Sequence, residues 1–293
     1  MDAIRTVGLT KSYGKARGIA NLDLAVAKGE FFGFIGPNGA GKSTTIRTLL
    51  GLIRPTGGSA SVLGLDIVRD NREILARTGY LPSEAAFYPN MRVRELLKLS
   101  AGLRGADCRE EAQLLCERLQ LNPAQRIDEL SFGNRKKVAI VCALQHSPEL
   151  LLLDEPTSGL DPLMQREFFS ILRERNEAGV TVFLSSHVLS EIQRYCQRAA
   201  IVREGRLLAL GSVEELTRTS AKRVTVCGQV DLDGLTGIRD LHSADGAVTF
   251  LYSGDRNELV RRLAAGHIDD LSVSEPDLEE SFLHYYEDGG DAP

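Results

Sequence analysis

The apolar residues of this chain gather in short runs that charged and turn-forming residues separate. Runs of about four to eight apolar or alternating residues predict β-strands. In the larger, N-terminal part of the chain we predict strands at Ile4 to Leu9, Leu22 to Val26, Phe31 to Ile35, Leu150 to Leu153 and Val180 to Leu184.

Between these strands the apolar residues recur at the three- to four-residue spacing of amphipathic helices. One helix is expected over Thr44 to Leu52, one over Ser131 to about His146 and one after Asp161. A longer block, Val93 to Leu121, has helical spacing throughout and predicts an inserted helical subdomain at about residues 84–147. Because strands alternate with helices, the fold class is α/β with a mostly parallel sheet.

The pattern changes after Leu216. Strands are predicted at Val224 to Val226, Val248 to Tyr252 and Ile268 to Val273, with a helix near Asn257 to Ala265. We therefore expect two domains, a large one over residues 1–219 and a small α+β domain over residues 220–293.

Composition and charge narrow the class of partner. A length of 293 residues with 43% apolar content suits one large globular domain and a small appendage. The net charge is −5. From Lys222 onward there are 6 Lys and Arg residues and 15 Asp and Glu residues, whereas the chain before Lys222 has 29 Lys and Arg and 25 Asp and Glu. Because nucleic-acid binding requires clustered cations, which neither part shows, no nucleic-acid partner is expected.

The sequence carries no apolar run of the roughly 18 to 20 residues that cross a bilayer, and its first residues do not resemble a signal peptide. Membrane contact is therefore expected only through a partner. The five cysteines are widely spaced and form no Cys-x-x-Cys pair, which indicates reduced thiols in the cytosol and neither disulfides nor zinc.

A glycine-rich segment directly follows the predicted strand at Phe31 to Ile35 and fits the phosphate-loop pattern G-x-x-x-x-G-K-[ST]. Its glycines allow backbone N–H groups to point at phosphate oxygens, and the following helix adds the positive end of its dipole. Lys42 is expected to bridge the β- and γ-phosphates of ATP, and the Ser43 hydroxyl to hold Mg²⁺. The nucleotide-binding residues predicted here are Gly36, Pro37, Asn38, Gly39, Ala40, Gly41, Lys42, Ser43 and Thr44.

Two carboxylates end the apolar run Leu150 to Leu153. The carboxyl ends of parallel strands are where α/β proteins collect ligands. Asp154 is expected to contact Mg²⁺, directly or through water, and Glu155 to act as the general base that polarises the attacking water. Any strand can end in surface acidic residues, but the position downstream of a phosphate loop favours the catalytic interpretation.

Two further segments surround this acidic pair. Leu-Ser-Phe-Gly-Asn at residues 130–134 precedes it, and Ser-Gly-Leu-Asp at residues 158–161 follows it. With these motifs in this order, the chain resembles the nucleotide-binding subunit of an ABC transporter over roughly Ile4 to Leu216. The resemblance implies a RecA-like, mostly parallel core with an antiparallel β subdomain and an inserted helical subdomain.

The resemblance also assigns roles to single residues. Residues 130–134 match the family's signature loop, which implies that Ser131, Phe132, Gly133 and Asn134 meet ATP held by the other protomer. Ser131 could alternatively be only a helix cap, as could Asp161.

Three more assignments follow from the resemblance. Asp161 ends the D-loop, residues 158–161, and is expected to cross the dimer interface. His187 matches the switch histidine that bonds the γ-phosphate and the Glu155 region. Tyr13 matches the aromatic residue that stacks on adenine; without the resemblance it would be a half-buried core tyrosine.

Two residues depart from the family pattern. Ser83 occupies the position of the glutamine that reaches Mg²⁺ and links the site to the membrane partner, and Ser83 is too short for that reach. Asn134 replaces a glutamine at the end of the signature loop.

The resemblance implies an ATPase that homodimerises around two ATP molecules and drives a separate integral-membrane permease from the cytoplasmic face of the membrane. ABC-2 type exporters are the most similar subclass. The alternative is a soluble ABC ATPase of DNA repair or ribosomes, which the single cassette and the lack of a basic arm disfavour. A phosphate-loop kinase or GTPase would not need the signature loop.

Overall fold

The computed structural model describes residues 1–14, 16–217, 221–244 and 246–274. The chain divides into two compact units, Met1–Leu210 and Gly211–Pro293. The sequence placed this division at 219/220, a few residues later in the chain.

The first unit is a mixed α/β structure. Its strands are β1 Asp2–Tyr13, β2 Ala16–Ala27, β3 Phe31–Ile35, β4 Gly57–Val62, β5 Leu65–Asp66, β6 Thr78–Leu81, β7 Leu150–Asp154, β8 Thr181–Ser186, β9 Arg198–Arg203 and β10 Arg206–Ser212, which runs into the second unit. Its helices are α1 Lys42–Leu49, α2 Asn71–Arg77, α3 Val93–Leu103, α4 Arg109–Arg118, α5 Phe132–Leu144, α6 Pro162–Glu177 and α7 Leu189–Tyr195.

The central sheet has six strands in the order β10-β9-β3-β8-β7-β6. The pairs β9/β3, β3/β8, β8/β7 and β7/β6 are parallel, as the sequence predicts. β3, β7 and β8 are buried along their whole length, which explains why they read as continuous apolar runs. β6 was not predicted because it is short and contains Gly79, where a Cβ atom would lie 2.2 Å from the Ala143 carbonyl oxygen.

A second, antiparallel sheet has the order β2-β1-β4-β5. The main core lies between the two sheets, and α1 contributes Ile46 and Leu49 to it. Phe183 of β8 packs there against Phe32 and Phe34, at ring-centroid distances of 5.7 and 5.1 Å. This core fixes the end of β3 relative to the start of α1, where the glycine-rich segment lies.

The helical block is interrupted where Gly105 adopts a left-handed φ of 66°, so that Val93 to Leu121 forms two helices, α3 and α4. Ion pairs fasten α4 to α6. Arg118 Nε lies 2.6 Å from Glu167 Oε1, and the guanidinium also bonds both oxygens of Glu174. Arg175 pairs with Glu111. The inserted helices are therefore tied to the helix that follows the D-loop.

The second unit contains α8 Val213–Thr217, β11 Lys222–Gln229, β12 Ile238–Ala244, β13 Ala247–Tyr252, α9 Arg256–Ala265 and β14 His267–Ser274. Its antiparallel sheet has the order β12-β13-β11-β14, and its core includes Val224, Phe250 and Leu263. The sequence predicted all of these strands except β12, which is polar and mostly exposed. Residues 275–293 of the predicted C-terminal domain lie outside the described part. Within the described ranges, none of the helices combines the length and apolar character that a bilayer span requires.

Leu152 tests the packing of the central sheet, because it is fully buried in β7. Leu152→Ala should lower the free energy of unfolding by about 2–5 kcal/mol, since it removes buried methyl groups and leaves a cavity. Leu103→Ala is the matched control: this leucine is 80% exposed, and we expect a change below about 0.5 kcal/mol. Urea unfolding at equilibrium measures both changes, and equal losses would contradict this packing.

Candidate nucleotide site

The phosphate loop, residues 36–44, joins a fully buried strand to a helix. β3 ends at Ile35, and α1 begins at Lys42 with Gly41 as its N-cap residue. Gly39 and Gly41 have left-handed φ values of 82° and 102°, which side chains rarely tolerate. The expected loop and helix are therefore both present, and the N-terminus of α1 is open to an anion.

Lys42 lies across this loop. Its side chain is 6% exposed, and Nζ donates to the carbonyl oxygens of Gly36 at 2.5 Å and Pro37 at 3.2 Å. The same Nζ lies 3.1 Å from Glu155 Oε1, an ion-pair distance without hydrogen-bond geometry. The lysine thus brings the phosphate loop and the end of β7 together.

Asp154, the last residue of β7, is completely buried. Its Oδ1 accepts a hydrogen bond of 3.1 Å from Ser185 Oγ, on the neighbouring strand β8. Its Oδ2 is buried and has no hydrogen-bond partner among the described residues. Buried polar atoms are normally paired, so this carboxylate oxygen fits a role as a ligand of Mg²⁺.

Glu155 begins the turn after β7 and has a left-handed φ of 49°, an unfavourable conformation for a residue with a side chain. Its Oε2 lies 2.7 Å from His187 Nδ1, at the end of β8. The side chain of Glu155 is 16% exposed and that of His187 is 54% exposed. The histidine and the carboxylate therefore form one hydrogen-bonded pair that borders solvent.

A cavity of about 360 Å³ lies at the phosphate loop and is lined by seven of its nine predicted residues. It is lined by Pro37, Asn38, Gly39, Gly41, Lys42, Ser43, Thr44, Ser83 and Glu155. Gly36 and Ala40 belong to the same loop but do not line the cavity. Ser83, the departure from the family pattern, therefore faces the phosphate loop.

The signature loop does not line this cavity. Ser131 is exposed, caps α5 and accepts a hydrogen bond of 3.2 Å from the Asn134 amide. The Phe132 ring is 52% exposed and packs on Gly159 of the D-loop, where an added Cβ would lie 2.2 Å from the ring. Gly133 also contacts Gly159: a Cβ atom added to Gly133 would lie 2.7 Å from the Gly159 carbonyl oxygen. The signature loop and the D-loop therefore lie side by side on one surface.

Asp161 and Tyr13 also lie away from the cavity. Asp161 caps α6, and its Oδ1 accepts bonds of 3.0 Å from the Leu163 and Met164 amides. Tyr13 ends β1 and is 45% exposed, with Lys11 Nζ 5.1 Å from its ring centre. About half of the Tyr13 surface is therefore accessible, and its role in adenine binding stays a prediction.

Sequence reasoning missed two charged residues beside the site, the buried Lys136 and the partly buried Glu191. Lys136 of α5 donates to carbonyl oxygens of Pro82, Ser83 and Glu155, and burial lowers its pKa to about 8 against the opposing effect of Asp154 and Glu155. Glu191 of α7 accepts a 2.9 Å bond from Ser186 Oγ, and burial raises its pKa. The available signal was a charge within a helix that is otherwise apolar here: Lys136 and Lys137 begin the buried run of α5, which continues with Val138.

The buried parallel strands, the phosphate loop and the acidic pair define a phosphate-loop nucleotide hydrolase. The family model described as ABC transporter matches residues 19–158. Bacitracin transport ATP-binding protein BcrA from Bacillus licheniformis is 35% identical to this chain over 96% of both chains. Daunorubicin resistance ATP-binding protein DrrA3 from Streptomyces coeruleorubidus is 34% identical over 96% of this chain and 95% of that protein. The chain therefore belongs to the ABC transporter family, as an ATP-binding subunit that hydrolyses ATP.

Solved structures agree with this assignment. The ATP-binding subunit of an ABC transporter superposes with a TM-score of 0.70 and 29% identity, over 74% of this chain and 92% of that one. The cassette MJ0796, solved as a dimer in a post-hydrolysis state with ADP and Pi, gives a TM-score of 0.65 and 25% identity, over 71% and 98%. The predicted RecA-like fold class is confirmed, and these comparisons do not favour the DNA-repair or ribosomal alternative.

Two substitutions of Asp161 distinguish a role as helix cap from a role in catalysis. Asp161→Ala should lower the free energy of unfolding by about 1 kcal/mol, because it removes both bonds to the start of α6. Asp161→Asn keeps a capping oxygen and should be about as stable as the parent. Thermal unfolding tests the cap, and equal stability of the two variants would contradict it. ATPase assays test the interface role, which predicts reduced turnover in both.

Proposed function

We propose that this chain powers export through a separate integral-membrane permease of the ABC-2 type. The observation that carries the proposal is the similarity to BcrA over 96% of both chains, which includes the C-terminal unit as well as the cassette. Nod factor export ATP-binding protein I from Paraburkholderia xenovorans, 37% identical over 73% of this chain and 72% of that protein, supports the outward direction. Relatives named for bacitracin transport and daunorubicin resistance suggest an antibiotic-like cargo.

The proposed working unit is a homodimer that closes on two ATP molecules. The cavity holds the phosphate loop and Glu155, whereas Ser131, Phe132 and Asp161 lie outside its lining. The signature loop offers the start of α5 to a second anion, away from its own cavity. A second copy would bring Ser131, Gly133 and Asn134 to the γ-phosphate, and the dimeric cassette MJ0796 supports this arrangement.

The predicted site residues in and around the cavity then take separate roles in hydrolysis. Lys42 and the loop amides bind the β- and γ-phosphates, and Tyr13 stacks on adenine with its exposed ring. Ser43 and Asp154 would hold Mg²⁺, which would neutralise charge on the phosphates. Glu155 accepts the proton of the attacking water, and His187 holds Glu155 and the γ-phosphate in place.

The permease is proposed to dock beside residues 84–94, between Ser83 and α3. Tyr88 is 66% exposed there, while Phe87 and Met91 are partly exposed. Aromatic residues and methionine are typical anchors of protein interfaces. Through this contact the subunit would be peripheral at the cytoplasmic face of the membrane.

Glu155→Gln tests the general base. We expect turnover of ATP to fall by roughly 10²- to 10⁴-fold, because the amide cannot accept the proton, while ATP binding is retained. Steady-state phosphate release and ATP binding at equilibrium measure the two effects. Glu110→Gln is the matched control, on the exposed first turn of α4, and should turn over like the parent. Undiminished turnover of Glu155→Gln would show that the base lies elsewhere.

Mixed variants test the composite site. Lys42→Ala removes ATP binding from one protomer, and Ser131→Arg blocks the signature loop of the other. Each variant alone should be inactive, whereas the mixture contains heterodimers with one intact site and should recover part of the ATPase activity. Titrating one variant into the other measures this recovery. A mixture as inactive as its parts would argue against the sandwich if one site can work alone.

Co-purification tests the transporter assignment. Tagged Glu155→Gln protein with ATP and Mg²⁺ should recover a polytopic membrane protein in stoichiometric amount from detergent-solubilised native membranes. The control is the same purification without nucleotide. Recovery of only ribosomes, DNA or soluble proteins would contradict the export proposal but not the assignment as an ATPase.

A further inference from the structure

A buried lysine connects two segments that border the nucleotide cavity. Lys136 lies in the second turn of α5 and is 3% exposed. Its Nζ donates to the carbonyl oxygens of Pro82 and Ser83, both at 3.1 Å, and of Glu155 at 3.0 Å. An ammonium has three N–H donors, so these bonds use its whole donor capacity.

The acceptors belong to different parts of the chain. Pro82 and Ser83 follow β6, and Glu155 follows β7, its parallel neighbour. The Glu155 amide donates to the Ser185 carbonyl oxygen at 3.0 Å, so the turn is held from β8 on its other side. Lys136 therefore fastens the strained Glu155 backbone to the loop that contains Ser83.

Burial of a cation is costly unless its hydrogen bonds are satisfied. Here the acceptors are backbone oxygens, and the carboxylates of Asp154 and Glu155 stabilise the positive charge. The Ser83 side chain is short, whereas Lys136 bonds the backbone of the Ser83 loop and of Glu155 at the same time. The connection between this loop and the turn after β7 is therefore made from α5.

We propose that Lys136 is a positioning residue of the ATPase reaction, which holds the backbone of Glu155 against the Ser83 loop and so aims the Glu155 carboxylate into the cavity. This inference rests on the proposed general-base role of Glu155. It implies that a displacement of the Ser83 loop is transmitted to Glu155 through one ammonium group.

Lys136→Met tests the proposal, because it keeps the length of the side chain and removes the three donors. We expect kcat to fall by about 10²-fold, the usual cost of a small misplacement of a catalytic group, with KM for ATP unchanged. Lys98→Met, an exposed lysine of α3, is the matched control and should behave as the parent. If Lys136→Met does not fold by circular dichroism, Lys136→Gln replaces it. A raised KM with unchanged kcat, or full activity, would overturn the inference.

A double-variant cycle shows whether Lys136 acts through Glu155. When Glu155→Gln has already removed the base, adding Lys136→Met should have no further effect on kcat. Two losses that multiply would overturn the positioning role while leaving the general base in place. Full turnover of Glu155→Gln alone would overturn the general base itself, and the two failures are therefore distinguishable.

Discussion

Parallel strands end at a common edge of their sheet, and the order β3-β8-β7 brings three chain segments together at that edge. The phosphate loop leaves β3, His187 follows β8, and the acidic pair ends β7. These residues are therefore close in space although they are far apart in the sequence. The buried apolar strands hold this edge in place, since none of the three can shift without exposing its side chains.

The charges at this edge are balanced locally. Lys42 faces Glu155 and the carbonyl oxygens of its own loop, while Asp154 keeps one oxygen bonded to Ser185 and the other free of hydrogen bonds. Lys136 places a second cation next to the turn, where it donates to the Glu155 carbonyl oxygen. Incoming phosphate oxygens would compete for Lys42, which links nucleotide binding to the position of Glu155.

Local chemistry explains what could be predicted from the sequence. The phosphate loop, the end of β7 and the helices that begin after Ser131 and Asp161 all depend on neighbouring residues, and all were found where expected. The strands β4, β5, β6, β9, β10 and β12 were not predicted. Most of them are short, polar or glycine-containing and form through their neighbours in the sheet. β9 has only four buried residues, between two arginines, which is too short a run to stand out in the sequence. The hydrogen bonds of Lys136 join it to residues 54 and 19 positions away in the sequence, so no local pattern predicted them.

In the proposed homodimer each chain contributes the phosphate loop of one ATP site and the signature loop of the other. The most direct test is the mass of Glu155→Gln protein in solution, measured by light scattering with and without ATP and Mg²⁺. Without nucleotide we expect the mass of one chain, 32.0 kDa, and with ATP and Mg²⁺ twice that mass. Adding Ser131→Arg to this variant should abolish the increase, because it blocks the signature loop. The same mass in both conditions, or a dimer that ignores Ser131→Arg, would contradict the proposed homodimer.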